Sequence, residues 1–412
     1  MHITHLSLTN FRNYGRLELA LPSGAVLFYG ANAQGKTNLL EAIYYLATTR
    51  SPHADYDYQL MNWEADETDD PVVVSRLVAQ VETAAQRHLV EMRLIKEKHG
   101  RGHSFRREVL VNRRKVRLMD MLGNLRVVLF LPSDVELIGA PPAQRRRYLD
   151  ITLCQTDPVY CRTLSAYNKT LEQRNAALKQ LAETGRGRDV LAVYTEKLVS
   201  LGAEIFARRA RFVSRLAREA QRIHYEALTA GQETIRLIYL PRLQAESLGR
   251  GDDENYGPFA DTAVWLESQT DLSAIAERFH NTLQLNLERD IGSGHTTIGP
   301  HRDDWRFWVN GRSLSSYGSR GQQRSAILAL KMAEINRMRD ETGEMPVLLL
   351  DEVVAELDER RRALLLDYVQ SGAQALLTAT DPGMFTDTFM EQAASMVVQA
   401  GRVTAVEDIA AT

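Results

Sequence analysis

The sequence predicts an α/β protein: a nucleotide-binding core of buried strands and helices, an antiparallel β subdomain beside it, and an α-helical lobe inserted into the core. Three observations carry this reading. The run SGAVLFYG ends at Gly30 and leads through a glycine-rich loop into apolar residues at helical spacing from Lys36 to Ala47. Far down the chain, VLLLD at 347–351 and ALLTAT at 375–380 read as buried strands. Between them, from about Pro158 to Thr229, the pattern is helical.

Taken in order, ITHLSLTNF and RLELAL alternate apolar and polar residues as short strands do. VVVSRLVAQV, HLVEMRLIKEK and REVLVNRRKV repeat that alternation, the last two joined by a turn around Gly100-Arg101-Gly102, and predict an antiparallel sheet. In the helical stretch Leu164, Leu171 and Leu178 recur every seven residues, with Tyr167 and Leu181 offset by three. After a break at Gly185-Arg186-Gly187, Leu191, Tyr194, Leu198, Leu201 and Ile205 step by three and four, so the two runs form a short antiparallel hairpin. Residues 246–262 read as a flexible loop. Beyond it come a strand at Trp305–Val309, a helix from about Gly321, the strand at 347–351, a helix after Asp358 and the strand ALLTAT. The expected division is 1–150 and 291–412 as the two halves of the core, with 151–290 as the helical lobe.

With 412 residues, 44% of them hydrophobic and 25% charged, the chain is globular in composition, and collagen-like, disordered and repeat architectures are excluded. Two cysteines, Cys154 and Cys161, support neither a disulfide framework nor a zinc site and suit a helix–helix contact in a reducing cytosol. The N-terminal residues lack a signal-peptide pattern and no apolar run approaches 18 residues, so the chain is expected to be neither exported nor membrane-spanning. Net charge is only −3, but Arg87–Arg117 holds 11 Lys and Arg against 3 acids, and Arg145–Arg222 holds 16 against 8. One face can therefore meet a polyanion while other segments, such as Asp55–Asp70, compensate.

The chemistry concentrates in four motifs. GANAQGKT has the phosphate-loop spacing: Gly30, Ala31, Asn32, Ala33, Gln34 and Gly35 turn backbone N–H groups toward phosphate, Lys36 supplies a cation, Thr37 can ligate magnesium and Asn38 follows on the helix. VLLLDE delivers two acids at the end of a strand, Asp351 for magnesium and Glu352 as the general base for an attacking water. SRGQQR stands before a helical run, where Ser319, Gly321 and Gln322 can meet a γ-phosphate. AELD, Ala355–Asp358, follows the paired acids. This order of motifs resembles that of ABC-type ATPases, with SRGQQR as signature and AELD as D-loop. That resemblance implies ATP sandwiched between the phosphate loop of one subunit and Ser319 of another. Two features depart from transporter ATPases: roughly 315 residues separate phosphate loop and paired acids, and LTATD, with Thr378 and Thr380, stands where those proteins carry a switch His.

Seven blocks extend the likeness over nearly the whole chain: LTNFRNY (8–14), GANAQGKTNLLEAIYYL (30–46), TRS (49–51), LPSDVELIGAPPAQRRRYLD (131–150), GPHRDD (299–304), GSRGQQRSAILALKMAE (318–334) and LLLDEVVAELDERRR (348–362). On these the chain resembles the RecF family of bacterial recombination and gap-repair proteins. It departs from the family pattern at Ala33, Ser133 and Glu352, and no Gln stands near Pro132–Asp134, where a Q-loop would lie. The resemblance implies a cytoplasmic, nucleoid-associated ATPase that binds ATP and Mg²⁺ and dimerises with ATP on duplex or gapped DNA. It further implies slow, DNA-stimulated hydrolysis and cooperation with RecR and RecO in loading RecA.

Candidate phosphate contacts are Arg106, Arg107, Arg113, Arg114, Lys115 and Arg117 on the sheet, and Arg208, Arg209, Arg211, Arg215, Arg218 and Arg222 on the helices. Aromatic residues are sparse among them, which favours duplex backbone binding over stacking on single strands. Arg145, Arg146 and Arg147 can bind DNA or order the nucleotide interface, and Arg302 can meet nucleotide or a partner subunit. His301, Asp303 and Asp304 lack metal-site spacing and a third ligand, and are expected to have a structural or interface role. The alternatives are another SMC-like repair ATPase, a DNA-binding scaffold that barely hydrolyses ATP, and a transporter-type ABC subunit with a membrane partner.

Overall fold

The computed structural model describes residues 1–67, 70–99, 102–244, 256–370 and 372–406. The chain divides into two compact units, residues 1–134 with 335–412, and residues 135–334. The sequence places the divisions at 150 and 290. By compactness they fall at 134 and 334, because the helix at Pro142–Thr156 and most of the helix Arg320–Thr342 belong to the second unit.

The first unit contains two six-stranded sheets. One is antiparallel, in the order β2-β1-β4-β5-β6-β7, from β1 (His2–Phe11), β2 (Tyr14–Ala20), β4 (Val72–Glu82), β5 (Arg87–His99), β6 (Gly102–Val111) and β7 (Arg114–Val116). The turn expected at Gly100-Arg101-Gly102 lies mostly outside the described residues. The other sheet has the order β15-β14-β3-β13-β12-β8, from β3 (Ala25–Tyr29), β8 (Val127–Phe130), β12 (Val347–Asp351), β13 (Ala375–Ala379), β14 (Ala394–Gln399) and β15 (Arg402–Ala405). All its pairings are parallel except the β14–β15 hairpin at one edge. Every residue of β8, β12 and β13 is buried, which is why these strands read as unbroken apolar runs. β13 lies between β3 and β12, with Thr378 opposite both Asp351 and Phe28, so residues from three distant parts of the sequence end at one level.

In the second unit the helices Pro158–Thr184 and Arg188–Ile223 form the expected hairpin, turned at Gly185 in the left-handed conformation. Asp157 starts the first of them, its carboxylate accepting from the N–H of Val159 (3.0 Å) and Tyr160 (2.9 Å). The leucine heptad is not its buried face: Leu164 and Leu171 are only half-buried, whereas Tyr160, Tyr167, Thr170, Arg174, Leu178 and Leu181 are buried. A polar residue, Arg174, stands at the centre of that stripe, where it bonds Thr195, Asp290 and Thr296. A three-stranded sheet, β11-β10-β9, completes the unit from β9 (Ile235–Leu240), β10 (Asp304–Val309) and β11 (Arg312–Ser313). Of the loop expected at 246–262, residues 246–255 lie outside the described residues, and Gly257–Ser268 is a helix. Phe259, Thr262 and Leu266, at steps of three and four, are buried and hold it in place. Cys154 and Cys161 are both buried free thiols on consecutive helices. A hydrogen bond to Cys161 and burial push the Cys154 thiol far up.

Candidate nucleotide site

The phosphate loop leaves β3 at Gly30 and enters the helix Lys36–Thr48 at Gly35. Both glycines have positive φ, 149° and 115°, and neither has room for a side chain. A Cβ on Gly30 would lie 2.4 Å from the Val398 carbonyl oxygen, and one on Gly35 would lie 2.5 Å from the Asn13 amide. Ala33 takes the left-handed conformation at φ 62°, a conformation that costs a side chain and that glycine adopts freely.

Lys36 is 4% exposed. Its ammonium donates to the carbonyls of Gly30 (2.7 Å) and Ala31 (3.0 Å), and lies 3.3 Å from Glu352 Oε1. Thr37 Oγ1 donates to Asp351 Oδ1 at 3.0 Å, and Thr378 Oγ1 donates to the same oxygen at 2.7 Å. Thr378 also accepts the Glu352 N–H at 2.9 Å, holding Glu352 at φ 53° and turning its side chain away from the strand. The site thus gathers a cation, a hydroxyl, a buried carboxylate and a half-exposed carboxylate at the carboxyl ends of β3, β13 and β12, where open α/β sheets bind ligands. Thr378 thus bonds both acids, donating to the Asp351 carboxylate and accepting from the Glu352 N–H.

Other sequence blocks act as supports. Asn13 Nδ2 donates to the Gln34 carbonyl (3.0 Å), Asn38 Nδ2 donates to Asn13 Oδ1 (2.8 Å), and Tyr14 OH donates to the Gly35 carbonyl (3.0 Å). Burial pushes the Tyr14 phenol up, so it remains a donor. From the β14–β15 turn, the Gly401 N–H donates to the Gln34 carbonyl (3.1 Å) and the Ala400 N–H to Gln34 Oε1 (2.7 Å). In a second layer, Arg12 makes paired bonds of 2.8 and 2.9 Å to buried Glu41, which also accepts from Ser51 Oγ at 2.5 Å. The blocks LTNFRNY, GKTNLLEA and TRS are therefore one connected structure. The sequence marked these blocks without assigning Asn13 and Tyr14 a role, because side-chain bonds to a loop's carbonyls leave no periodic signal.

In the second unit Ser319 is exposed at the start of the helix Arg320–Thr342. Its Oγ accepts the Gln322 N–H (3.2 Å) while Gln322 Oε1 accepts the Ser319 N–H (2.9 Å), a reciprocal cap. Gln322 Nε2 also donates to Glu233 Oε1 at 2.6 Å. Gly321 is exposed beside it.

The same unit holds a charged cluster of another kind. Arg209, proposed above as a phosphate contact, is 1% exposed. It donates to Asp150 (2.8 Å), Asp303 (3.0 Å), the Pro300 carbonyl (2.5 Å) and Tyr160 OH (2.9 Å), so it is unavailable to DNA. Asp303 also accepts from Tyr239 OH and from the Arg242 N–H (2.7 Å); burial nevertheless raises its carboxyl to about 6. His301 accepts from Tyr167 OH at Nδ1 (2.8 Å) and donates from Nε2 to the Thr296 carbonyl (3.0 Å). Burial lowers its imidazole to about 3 and keeps it neutral. Arg145 pairs with Asp304 at 2.7 and 2.8 Å and Arg146 donates to the Asp303 carbonyl at 2.6 Å, so these two arginines build the unit. Among the described residues no cluster of three or more His, Cys, Asp and Glu side chains could hold a metal ion.

The remaining DNA candidates differ in freedom. Arg107 is tied to Asp57 (3.1 Å) and the Thr49 carbonyl (3.1 Å), Arg208 to Asp157 and Glu204, and Arg106 and Lys115 to Glu108. Arg113, Arg114 and Arg215 are exposed and make no ion pair among the described residues; Arg117 is 92% exposed at its side chain and 3.5 Å from Asp120.

A phosphate loop, paired acids on the neighbouring sheet strand but one, a helix-capping signature and an antiparallel β subdomain define an SMC-like, ABC-type ATPase head. The model of the RecF/RecN/SMC N terminal domain matches residues 2–404. The chain belongs to the RecF family. It is 41% identical over 411 residues to the DNA replication and repair protein RecF of Chloroflexus aurantiacus, covering 98% of this chain and 99% of that one. To the RecF of Halalkalibacterium halodurans it is 35% identical over 401 residues, covering 97% and 98%. A solved structure of the recombination mediator protein RecF with ATP, described as part of the RecFOR pathway, superposes with a TM-score of 0.78 at 30% identity, covering 98% of this chain and 97% of that one. An SMC head bound to the C-winged helix domain of ScpA superposes with a TM-score of 0.50 at 14% identity and shares the fold alone.

Proposed function

We propose that this protein is an ATP-switched DNA-binding protein of replication and gap repair. In this reading it dimerises by sandwiching ATP, closes on duplex or gapped DNA, cooperates with RecR and RecO in loading RecA, and opens after slow, DNA-stimulated hydrolysis. The observation that carries the reading is the convergence of Lys36, Thr37, Asp351, Thr378 and Glu352 at the ends of three adjacent strands.

The donor chemistry fits a nucleoside triphosphate: the loop between two obligatory glycines presents backbone N–H groups, and Lys36 provides the only ammonium of the loop. Thr37 and Asp351, whose oxygens already meet, are the residues that would hold Mg²⁺, which would neutralise charge on the β and γ phosphates. Glu352 takes a proton from the water that attacks the γ-phosphorus as the bond to the β–γ bridging oxygen breaks, giving ADP and phosphate. Ser319 and Gly321 of a second copy contribute the hydroxyl and N–H groups that face the γ-phosphate. DNA contact falls to Arg113, Arg114 and Arg117 at and just beyond the β6–β7 hairpin and to Arg215. Family membership supports the DNA and RecFOR parts of the reading. Among the described residues no helix is long and apolar enough to cross a membrane.

The test is fluorescence anisotropy of a labelled gapped duplex with ATP, with ADP and without nucleotide, for the parent and for Lys36→Met. Tight binding with ATP that is lost with ADP and in the variant supports the switch. Equal binding in all states favours a nucleotide-independent scaffold.

A further inference from the structure

One exposed stretch of the first unit lies outside the nucleotide site and has an unusual surface. Tyr56, Tyr58 and Trp63, within eight residues of each other, are 62%, 48% and 71% exposed. Large exposed aromatics gathered in one short stretch are uncommon on a monomer surface and are enriched where proteins meet. Tyr56 and Tyr58 stack, with ring centroids 5.6 Å apart and planes at 15°.

The backbone beneath them is anchored. Gln59 Oε1 accepts the N–H groups of Asp55 (3.0 Å) and Tyr56 (3.1 Å), and the Gln59 carbonyl accepts from Arg12 Nη1 (3.0 Å). Asn62 Nδ2 donates to the Arg12 carbonyl (2.7 Å), and Asn62 Oδ1 accepts the Ala65 N–H (3.0 Å). The rings therefore stand on a fixed platform, and a fixed platform of aromatics loses little conformational freedom on docking.

Charge identifies the kind of partner. Cations bonded to the stretch are engaged with its own acceptors: Arg107 with Asp57 at 3.1 Å, Lys96 with Asp66 at 2.7 Å, and the Lys98 ammonium with the Asp66 carbonyl at 2.7 Å, and no Lys or Arg lies between Asp55 and Glu67. Asp55, Glu64 and Glu67 are exposed and make no ion pair among the described residues. The uncompensated charge around the aromatics is negative, so phosphate is repelled, whereas stacking platforms for nucleic acid pair their aromatics with cations. We infer that the stretch from Asp55 to Glu67 is the docking surface for a protein partner that presents a basic, Arg- or Lys-rich face with an apolar pocket for the aromatic side chains.

The inference rests on the proposed function in its choice of probe, purified RecR from the same source. Biolayer interferometry would compare the parent with Tyr56→Ser/Trp63→Ser and, separately, with Glu64→Lys/Glu67→Lys, which leaves the anchoring bonds intact. ATP affinity and gapped-duplex affinity are measured alongside. The expected result is at least a tenfold loss of RecR affinity in both variants, with parent binding that weakens as salt rises and unchanged ATP and DNA affinities. RecR binding to the parent that neither variant weakens would overturn the inference while leaving the proposed function standing. Loss of DNA affinity in the aromatic variant would reassign the surface to nucleic acid, and a Trp63-dependent self-association without an effect on RecR would reassign it to a second copy; either overturns the inference. Failure of RecR to bind the parent would count against the partner part of the proposed function and against this inference together.

Discussion

The nucleotide site of the first unit and the Arg209–Asp303 cluster of the second are both dense in charge, and both come from blocks that the sequence singled out. They differ in where the capacity of the charged groups goes. Around Asp303 every partner is protein: Arg209, Tyr239 and the Arg242 N–H converge on one carboxylate that is 0% exposed. Around Asp351 the acceptors and donors converge on the end of a sheet, beside a loop of N–H groups and a carboxylate, Glu352, whose side chain is 38% exposed. Asp351 is itself buried, at 6% exposed, so what separates the two networks is the half-exposed Glu352 beside it and not residue type.

This contrast can be broken or sharpened by substitution. The largest effect is expected at Glu352→Gln, where turnover should fall about 10²–10⁴-fold with ATP affinity retained, because only the proton acceptor is removed; a steady-state phosphate-release assay beside nucleotide binding checks this. Equal turnover in variant and parent would remove Glu352 from the base role.

Next is Arg174→Leu, in a second buried network of the same unit. Arg174 is buried between Asp290 (2.9 Å), Thr296 (2.6 Å) and Thr195 (3.1 Å), so the substitution strands the Asp290 carboxylate. Urea unfolding should show a loss of about 3–5 kcal/mol. Where the variant remains folded, its ATP affinity should match the parent's.

A third prediction uses pH. The His301 imidazole is lowered to about 3 in the folded state by burial, so the stability it brings is full above its ordinary 6.5 and is lost as pH falls toward 3. Asp303 has the opposite sign: burial raises it to about 6, so its ionisation weakens the fold as pH rises through that value. In the parent the two partly cancel between pH 6 and 4. His301→Gln removes the first, so the stability gap between parent and variant should narrow on acidification by about 1.4 kcal/mol per pH unit below 6.5. Urea midpoints at pH 7.5 and 5 check this; a gap independent of pH would mean that His301 is not held neutral.

The smallest effect is expected at Thr378→Val, which removes the 2.7 Å bond to Asp351 and the acceptor for the Glu352 N–H. About 1 kcal/mol should be lost from magnesium-dependent ATP binding, with little change in binding without magnesium. Isothermal titration with and without the metal separates the two.

Much of this was legible in the sequence for physical reasons. Buried parallel strands such as β12 and β13 appear as unbroken apolar runs, and a phosphate loop requires Gly30, Gly35 and Lys36 at fixed spacing. Two things were hidden. Strand order is not written in local patterns, so nothing announced that β13 lies between β3 and β12 and brings Thr378 to Asp351. Burial of individual arginines was also missed, although a signal existed. Arg209 follows Phe206 by three and precedes Val213 by four, and Arg174 lies four from both Thr170 and Leu178, so each stands on the buried stripe of its helix. Reading arginine as a surface charge, without asking which face it occupies, assigned Arg209 to DNA.

In the proposed switch, ATP closes two copies of this chain around one another's nucleotide. Sedimentation velocity with ATP and magnesium, for the parent, Lys36→Met and Ser319→Arg, tests it most directly. The account predicts a dimer for the parent alone, with Ser319→Arg still binding ATP as a monomer. A parent that stays monomeric with saturating ATP, or a Ser319→Arg variant that dimerises like the parent, would contradict it.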